Sequence, residues 1–233
     1  MKILVTGATG FIGYELAFQL AQSGHRPRLM VSRPARGRLL AGLDAELIQG
    51  DLTRPASLER AVRDIDAVIH LAARATFEDM NSLRPTIVDG TRALATAAVK
   101  AGVAHFTYAS SMLVYGNSDG AIDGDTRPEP RLDYGRAKLE AEAAVTEVAG
   151  DSGMELAVIR LPHIYGARDL MFEQIRGGRL VLPGRGHNLY AHLHVHDCGR
   201  LLAAIAEQGW TGVSPVADDH AADWREFIGV VCE

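Results

Sequence analysis

The segment TGATGFIG (6–13) constrains this chain more than any other. It sets three glycines between an apolar β-branched run, KILVTG (2–7), and a helical pattern, FIGYELAFQLAQSG (11–24), that Gly24 closes. Each glycine has its own task in such a turn. Gly7 permits a tight reversal, Gly10 lets the backbone approach a pyrophosphate, and Gly13 lets helix and strand pack closely. The helix start then offers backbone N–H groups and the positive end of its dipole to phosphate. Thr9, Phe11 and Ile12 complete the turn as candidate cofactor contacts. A glycine-rich turn with no ligand is the plainer explanation. It ranks lower, because three glycines at this spacing lose chain entropy for no packing gain.

Beyond the turn, short β-rich runs alternate with helical patterns. Strands are expected at RPRLMVS (26–32), AELIQGD (45–51), DAVIHLAA (66–73), AHFTYASS (104–111) and MELAVIRL (154–161). Helices are expected at 57–64, at 83–101 before Gly102, and at 133–149. This alternation specifies a doubly wound parallel sheet of Rossmann type with helices on both faces. Residues 1–162 are expected to form the dinucleotide-binding domain and 163–233 a smaller C-terminal substrate lobe, with 192–207 returning to the main domain. DWREFIGVVCE (223–233) reads as an amphipathic helix without a C-cap. The expectation is therefore a lobe cut short, in a chain that is a fragment or module of a longer polypeptide.

Composition narrows the partners. A net charge of −5 provides no domain-wide positive field, so no nucleic-acid partner is expected. No apolar run is long enough to span a membrane. A signal-like N-terminus is interrupted by Gly7, Gly10 and Gly13. Cys198 and Cys232 form neither a disulfide framework nor a metal spacing, which suits a cytoplasmic protein with a small-molecule substrate.

Three further positions carry the chemistry. A dinucleotide site usually has an acid at the end of its second strand, bonding the adenosine ribose 2′-hydroxyl. Here the sequence is VSRPARGR, with Ser32 and Arg33 and no carboxylate. Arg33, with Arg36 or Arg38 nearby, can pair with a 2′-phosphate, which favours NADP and leaves NAD as the alternative. A solvated basic loop competes with this reading, more for Arg36 and Arg38 than for Arg33. Asp51 in QGDL is placed either to bond the adenine amino group or to cap the next turn. DYGRAKLEAE (133–142) puts Tyr134 and Lys138 four apart on one helix face. An ammonium one turn away, with an oxidised nicotinamide, would pull the phenol pKa down from its usual value of about 10. Tyr134 could then exchange a proton with a substrate oxygen while hydride moves, and Lys138 could bond the nicotinamide ribose.

With these motifs in order, the chain resembles the extended short-chain dehydrogenase/reductase family, the NAD(P)-dependent epimerases and dehydratases. The resemblance runs through TGATGFIG, GDL (50–52), HLAA (70–73), DGT (89–91), SSMLVYG (110–116), YGRAK (134–138), RLPHIYG (160–166) and HVHD (194–197). It implies Ser111, Tyr134 and Lys138 as the catalytic residues, and Ser111 rather than Ser110 because it stands four before the tyrosine of VYG. Ser110 is then a strand-end hydroxyl capping backbone. The resemblance also implies cofactor contacts from Leu52, Leu71, Ala72, Ala73, Leu161 and His163, and homodimer formation through the helices.

Departures from the family pattern sharpen the reaction. Family dehydratases resemble one another in an Asp-Glu pair after the serine or threonine, supplying the acid and base of β-elimination. Met112 and Leu113 can do neither, so sugar dehydration is disfavoured. Asp89 stands where the helix usually has asparagine, and His163 where nucleotide-sugar enzymes usually have asparagine. A packed strand-end histidine is as good a reading of His163 as a ligand contact. In AHLHVHDC (191–198) a strand would project His192, His194 and His196 onto one face, as in a zinc site. The order His196-Asp197 does not match a metallohydrolase motif, and Asp197 is expected as a helix N-cap, so no metal is expected. These readings point to an NADP-preferring oxidoreductase interconverting a secondary alcohol and a ketone. A nucleotide-sugar epimerase on the same site is the alternative, and a non-catalytic NADPH-binding sensor is the reading of another class.

Overall fold

A computed structural model describes residues 1–117, 120–181 and 185–232. Glu233, the last residue of the expected final helix, lies outside the described residues. β1 (Ile3–Thr6) is buried throughout and alternates its side chains between two cores. Leu4 packs with Leu58, Leu94, Phe106 and Val145 on one face, and Ile3 and Val5 pack with Leu16, Leu20, Ile159 and Leu202 on the other. A strand with apolar residues on both sides can be stable only inside a sheet covered on both faces.

That sheet also contains β2 (Arg28–Val31), β3 (Glu46–Gln49), β4 (Ala67–His70), β5 (His105–Ser111), β6 (Glu155–Leu161) and β10 (Gly212–Pro215). Its order is β10-β6-β5-β4-β1-β2-β3, and every neighbouring pair is parallel. One face carries α2 (Pro55–Ala61), α4 (Gly90–Lys100) and α5 (Asp133–Ala149); the other carries α1 (Phe11–Gln22) and α7 (Val195–Gln208). The order reverses between β1 and β4, which opens a crevice beyond the strand C-termini. The doubly wound parallel class expected from the sequence is the observed one. The expected strands at 26–32, 45–51 and 66–73 include flanking residues that continue past the ladder.

The helix expected at 83–101 is three pieces. α3 (Met80–Arg84), N-capped by Asp79 accepting from Ser82 N at 3.1 Å, runs into a π-helical stretch at Pro85–Asp89 before α4 begins. Pro85 has no N–H and crowds the preceding turn, which explains the break in the i to i−4 ladder. The helix expected at 57–64 starts earlier, with Pro55 in its first turn, and ends at Ala61 before Asp64, a non-glycine residue at φ 56°.

Past β6 the chain forms β7 (His163–Tyr165), α6 (Leu170–Arg176), β8 (Leu189–Tyr190), β9 (His192–His194), β11 (Ala222–Asp223) and α8 (Trp224–Cys232). β7 pairs parallel with β9, and β8 pairs antiparallel with β11. Met171, Ala222 and Phe227 form a small core of their own with Tyr165, Phe172 and Trp224 around them. The three alternate histidines do not share one strand face. β9 ends at His194, and His196 stands in the first turn of α7. Asp197 is not the N-cap of that helix, because the His194 ring accepts from His196 N at 3.3 Å and takes the position instead. Among the described residues no helix is long and apolar enough to cross a membrane.

Candidate active site

The glycine turn and the ends of β4, β5 and β6 converge on the crevice. Gly7 has φ +75°, and a Cβ there would lie 2.8 Å from Ala72 N, so the turn presses against Leu71, Ala72 and Ala73 at the end of β4. Gly10 is the N-cap of α1, with no side-chain cap bond and no acid in the first turn. The first-turn N–H groups of Phe11, Ile12 and Gly13 therefore meet no capping side chain of α1, the kind of donor set that would suit a dinucleotide pyrophosphate. Thr9, Phe11 and Ile12 are half-buried beside it.

Below the turn, Thr6 joins β1 to β4. Its hydroxyl pairs with His70 Nδ1 at 2.7 Å and accepts from Ala72 N at 3.2 Å, while His70 Nε2 meets the Thr91 hydroxyl at 2.9 Å. His70 is buried, and burial together with the nearby Lys138 charge pushes its pKa down to about 3.

Beyond the end of β2, Arg33, Arg36 and Arg38 are all exposed. Among the described residues no hydrogen bond or ion pair engages the Arg33 guanidinium. Asp51 is turned inward: its Oδ1 accepts from Thr53 N at 2.9 Å and from the Thr53 hydroxyl at 2.7 Å, and these bonds hold its carboxyl below the usual range. The turn-capping role is therefore occupied, through one of its two oxygens. Leu52 is buried under Gly90.

At the reacting end, β5 delivers Ser111 and α5 delivers Tyr134 and Lys138. The two elements are locked together: a Cβ on Gly135 would lie 2.4 Å from the Leu113 carbonyl oxygen, so α5 begins directly against the turn that follows Ser111. Ser111 is half-buried and caps that turn, accepting from Leu113 N at 3.2 Å, which leaves its O–H able to donate. Ser110 does not cap backbone. Its hydroxyl donates to the Glu142 carboxylate, so the roles expected for the two serines are divided differently. Lys138 is only 3% exposed; its Nζ donates to the Ala109 carbonyl at 2.7 Å and lies 4.8 Å from the Tyr108 ring centroid and 5.9 Å from that of Tyr134.

The expected lowering of the Tyr134 pKa requires an oxidised nicotinamide beside Lys138; the protein's own groups act in the opposite direction. Burial dominates and pushes the phenol up to about 12, and it pushes Lys138 down to about 8 against the opposing charge of Glu142. At neutral pH Tyr134 is a protonated phenol.

His163 opens β7 two residues past Leu161, the last residue of β6, which pairs in register with Ser111. Its Nε2 meets Asp169 Oδ2 at 2.8 Å, and Asp169 also N-caps α6 through Met171 N at 2.9 Å. The histidine thus staples β7 to α6. Among the described residues no group of three or more His, Cys, Asp or Glu has metal-holding geometry. Thr6, His70, Thr91, Glu142 and Arg160 are among the buried polar residues of the site that sequence reasoning passed over. For Glu142 a signal existed, since it follows Lys138 by one further helical turn.

The sequence profile of the NAD dependent epimerase/dehydratase family matches residues 3–216. The ceramide reductase of Caulobacter vibrioides is 32% identical over 97% of this chain and 68% of its own length. The 3-beta-hydroxysteroid dehydrogenase of Mycolicibacterium neoaurum is 32% identical over 87% of this chain and 60% of its own. Among solved structures, MoeE5 in complex with UDP-glucose and NAD superposes with a TM-score of 0.84 at 31% identity, covering 100% of this chain and 81% of that one. The dTDP-glucose 4,6-dehydratase DesIV of Streptomyces venezuelae, with NAD and DAU bound, gives 0.88 at 25% identity over 99% of this chain and 80% of that one.

Proposed function

The chain belongs to the NAD dependent epimerase/dehydratase family, whose relatives named above are enzymes, and from that premise we propose that it is an NADP-preferring oxidoreductase interconverting a secondary alcohol and a ketone. The observation that carries this reading is the convergence of three side chains: α5, which bears Tyr134 and Lys138, packs directly on the turn that Ser111 caps, and Lys138 Nζ lies 5.9 Å from the Tyr134 ring centroid. A neutral phenol is a proton donor, which suits carbonyl reduction.

A bound nicotinamide cofactor supplies or accepts the hydride at the substrate carbon. The Tyr134 hydroxyl delivers the proton to the carbonyl oxygen as that oxygen gains negative charge, and takes it back in the oxidising direction. The Ser111 hydroxyl donates to the same oxygen and fixes its place. Lys138 sets a positive charge beside the phenol, favouring the phenolate left after proton transfer, and bonds the nicotinamide ribose. The first-turn N–H groups of α1 hold the pyrophosphate, and Arg33 grips the 2′-phosphate. Leu71, Ala72, Ala73, Leu161 and His163 would line the nicotinamide half of the cofactor.

Net redox chemistry is supported by the relatives named ceramide reductase and 3-beta-hydroxysteroid dehydrogenase. The pairing of His163 with Asp169 supports it too, because the side chain where nucleotide-sugar enzymes usually have asparagine is engaged within the protein. Epimerisation of a nucleotide sugar is the second reading, favoured by the likeness to MoeE5 in complex with UDP-glucose and NAD. Stoichiometry separates them, since a reductase consumes NADPH mole for mole with product and an epimerase regenerates its cofactor. Tyr134→Phe tests the enzyme reading itself. Turnover is expected to fall about 10²- to 10⁴-fold with NADPH affinity within a factor of about two, as read by protein fluorescence. Undiminished turnover would remove Tyr134 from the reaction, and a sensor without turnover would show NADPH binding alone in the wild type.

A further inference from the structure

We propose that Tyr115 is a positioning residue for the reaction: bound by Arg160 and closing the 3-10 turn Met112–Val114, it holds the Ser111 hydroxyl in place against α5. The proposal rests on the reading of Ser111 and Tyr134 as the two groups that meet the substrate oxygen.

The turn after β5 is pinned at its first end. Ser111 caps it, the hydroxyl accepting from Leu113 N at 3.2 Å, and a Cβ on Gly135 would lie 2.4 Å from the Leu113 carbonyl oxygen. Gly135 adjoins Tyr134, so this contact sets the turn beside the phenol. One contact leaves the turn free to pivot about it, and Tyr115 supplies the second. Its backbone N–H donates to the Met112 carbonyl at 3.0 Å and closes the turn. Its side chain is buried, and Arg160 Nη1 donates to the hydroxyl at 2.8 Å with the guanidinium carbon 4.8 Å from the ring centroid. The Tyr115 hydroxyl donates in turn to the Asp123 carbonyl at 3.3 Å.

Arg160 is itself immobilised. β6 delivers it as the register partner of Ser110, and both it and Glu142 are buried. Arg160 Nε donates to Glu142 Oε1 at 3.1 Å and Nη2 donates to Oε2 at 2.7 Å, a fork that fixes the plane of the guanidinium. Glu142 lies about two helical turns after Tyr134 on α5. The route from Glu142 through Arg160 and Tyr115 to the Ser111 turn thus consists of hydrogen bonds and a closed turn of backbone. That turn is referred to α5 at two points, Gly135 in front and Glu142 behind, and α5 carries Tyr134. Two donors aimed at one oxygen must keep their separation to within about 0.5 Å, which two attachments secure and one does not.

Packing alone does not call for a tyrosine at this position. A phenylalanine ring fills the same volume and needs no partner, whereas a buried hydroxyl requires one. Here the hydroxyl has two, accepting from β6 and donating to the segment that follows the turn. The backbone beyond is fixed as well: Gly116 has φ +68°, and a Cβ there would lie 2.3 Å from the Glu129 carbonyl oxygen. Tyr115 is therefore held through its side chain and through its C-terminal neighbour, and the turn it closes has a fixed far end.

Amide hydrogen exchange tests this without a substrate, because the Leu113 N–H bonds the Ser111 hydroxyl and its protection reports whether that hydroxyl stays in place. In Tyr115→Phe, protection at Leu113 should fall about fivefold or more, and by more than at the strand amides of Phe106 and Val158. Arg160→Lys keeps a charge for Glu142 but lacks the fork that also reaches Tyr115. It should give the same pattern, and it serves if Tyr115→Phe does not fold. Turnover is read as NADPH consumption on a panel of aryl and alicyclic ketones, with the one that the wild type reduces fastest. Tyr115→Phe should lower kcat about tenfold in the wild-type background and change nothing further in Ser111→Ala. Unchanged protection at Leu113, or losses of turnover that add in the double variant, overturns the proposal. Undiminished turnover in Ser111→Ala overturns the underlying reading of Ser111 instead. Where no ketone of the panel is reduced, the Leu113 exchange alone decides the proposal.

Discussion

Arg33 stands two residues past the end of β2, in the region where an acid would bond a ribose hydroxyl and repel a phosphate. Its guanidinium is exposed and unengaged among the described residues, so binding a 2′-phosphate would break no existing bond of the protein. A charge-assisted hydrogen bond contributes about 1.5–3 kcal/mol, so Arg33→Ala should weaken NADPH binding about tenfold or more and leave NADH within about twofold. Fluorescence titration of both cofactors against both proteins measures it, and tighter binding of NADH by the wild type would end the NADP assignment. Arg33 was legible as a candidate because its argument is local, close after one strand, and its role is what the titration tests. The division of labour between Ser110 and Ser111 was not, because it depends on Glu142, 32 residues on from Ser110. The burial of Tyr134 was not legible for a related reason: spacing reveals a neighbouring charge but not the depth of burial that opposes it.

At the scale of elements, the strand–turn–helix unit β1–α1 separates two uses of glycine that the sequence alone lumps together. At Gly13 a Cβ would stand 2.2 Å from the Gly7 carbonyl oxygen, so the helix start must move away from the turn. Gly13→Ala should therefore destabilise the fold by about 1–3 kcal/mol, seen as a lower urea midpoint. At Gly10, φ is −79° and the nearest atom to a Cβ is Gly7 O at 3.1 Å, a far looser contact than the one at Gly13. Gly10→Ala should keep the urea midpoint and lose NADPH affinity by about tenfold or more, because the methyl group occupies the approach of the pyrophosphate. Equal losses of stability in the two variants would contradict this assignment of roles. The elements themselves were readable where apolar periodicity runs unbroken, as in α5, expected at 133–149 and observed at Asp133–Ala149. They were not readable where one residue breaks the ladder, as Pro85 does between α3 and α4, or where a strand hands over to a helix, as between His194 and His196.

For the whole molecule, the alternation of strands and helices announces the layered class, but crossover connections do not reveal strand order, and only that order puts His70 on the central strand. His70 lies where the sheet is covered on both faces, with both ring nitrogens matched by the Thr6 and Thr91 hydroxyls and Phe106 and Tyr108 packed beside it. A proton there cannot be hydrated by a local opening of the surface, so its titration is coupled to global unfolding. The folded pKa is depressed to about 3 from 6.5, by burial first and by the Lys138 charge second. The unfolded chain therefore binds a proton that the folded chain refuses between pH 6.5 and about 3, and stability falls as pH falls through that window. Each pH unit inside it costs up to about 1.4 kcal/mol, so this one residue should remove about 2 kcal/mol between pH 7 and pH 5. His70→Gln keeps a donor and an acceptor for the two threonines and cannot take the proton. Its stability at pH 7 should be somewhat lower than the wild type's, and its decline toward pH 5 correspondingly shallower. Urea midpoints at pH 7, 6 and 5 for both proteins measure the difference; parallel declines would show that the acid sensitivity of this fold arises elsewhere.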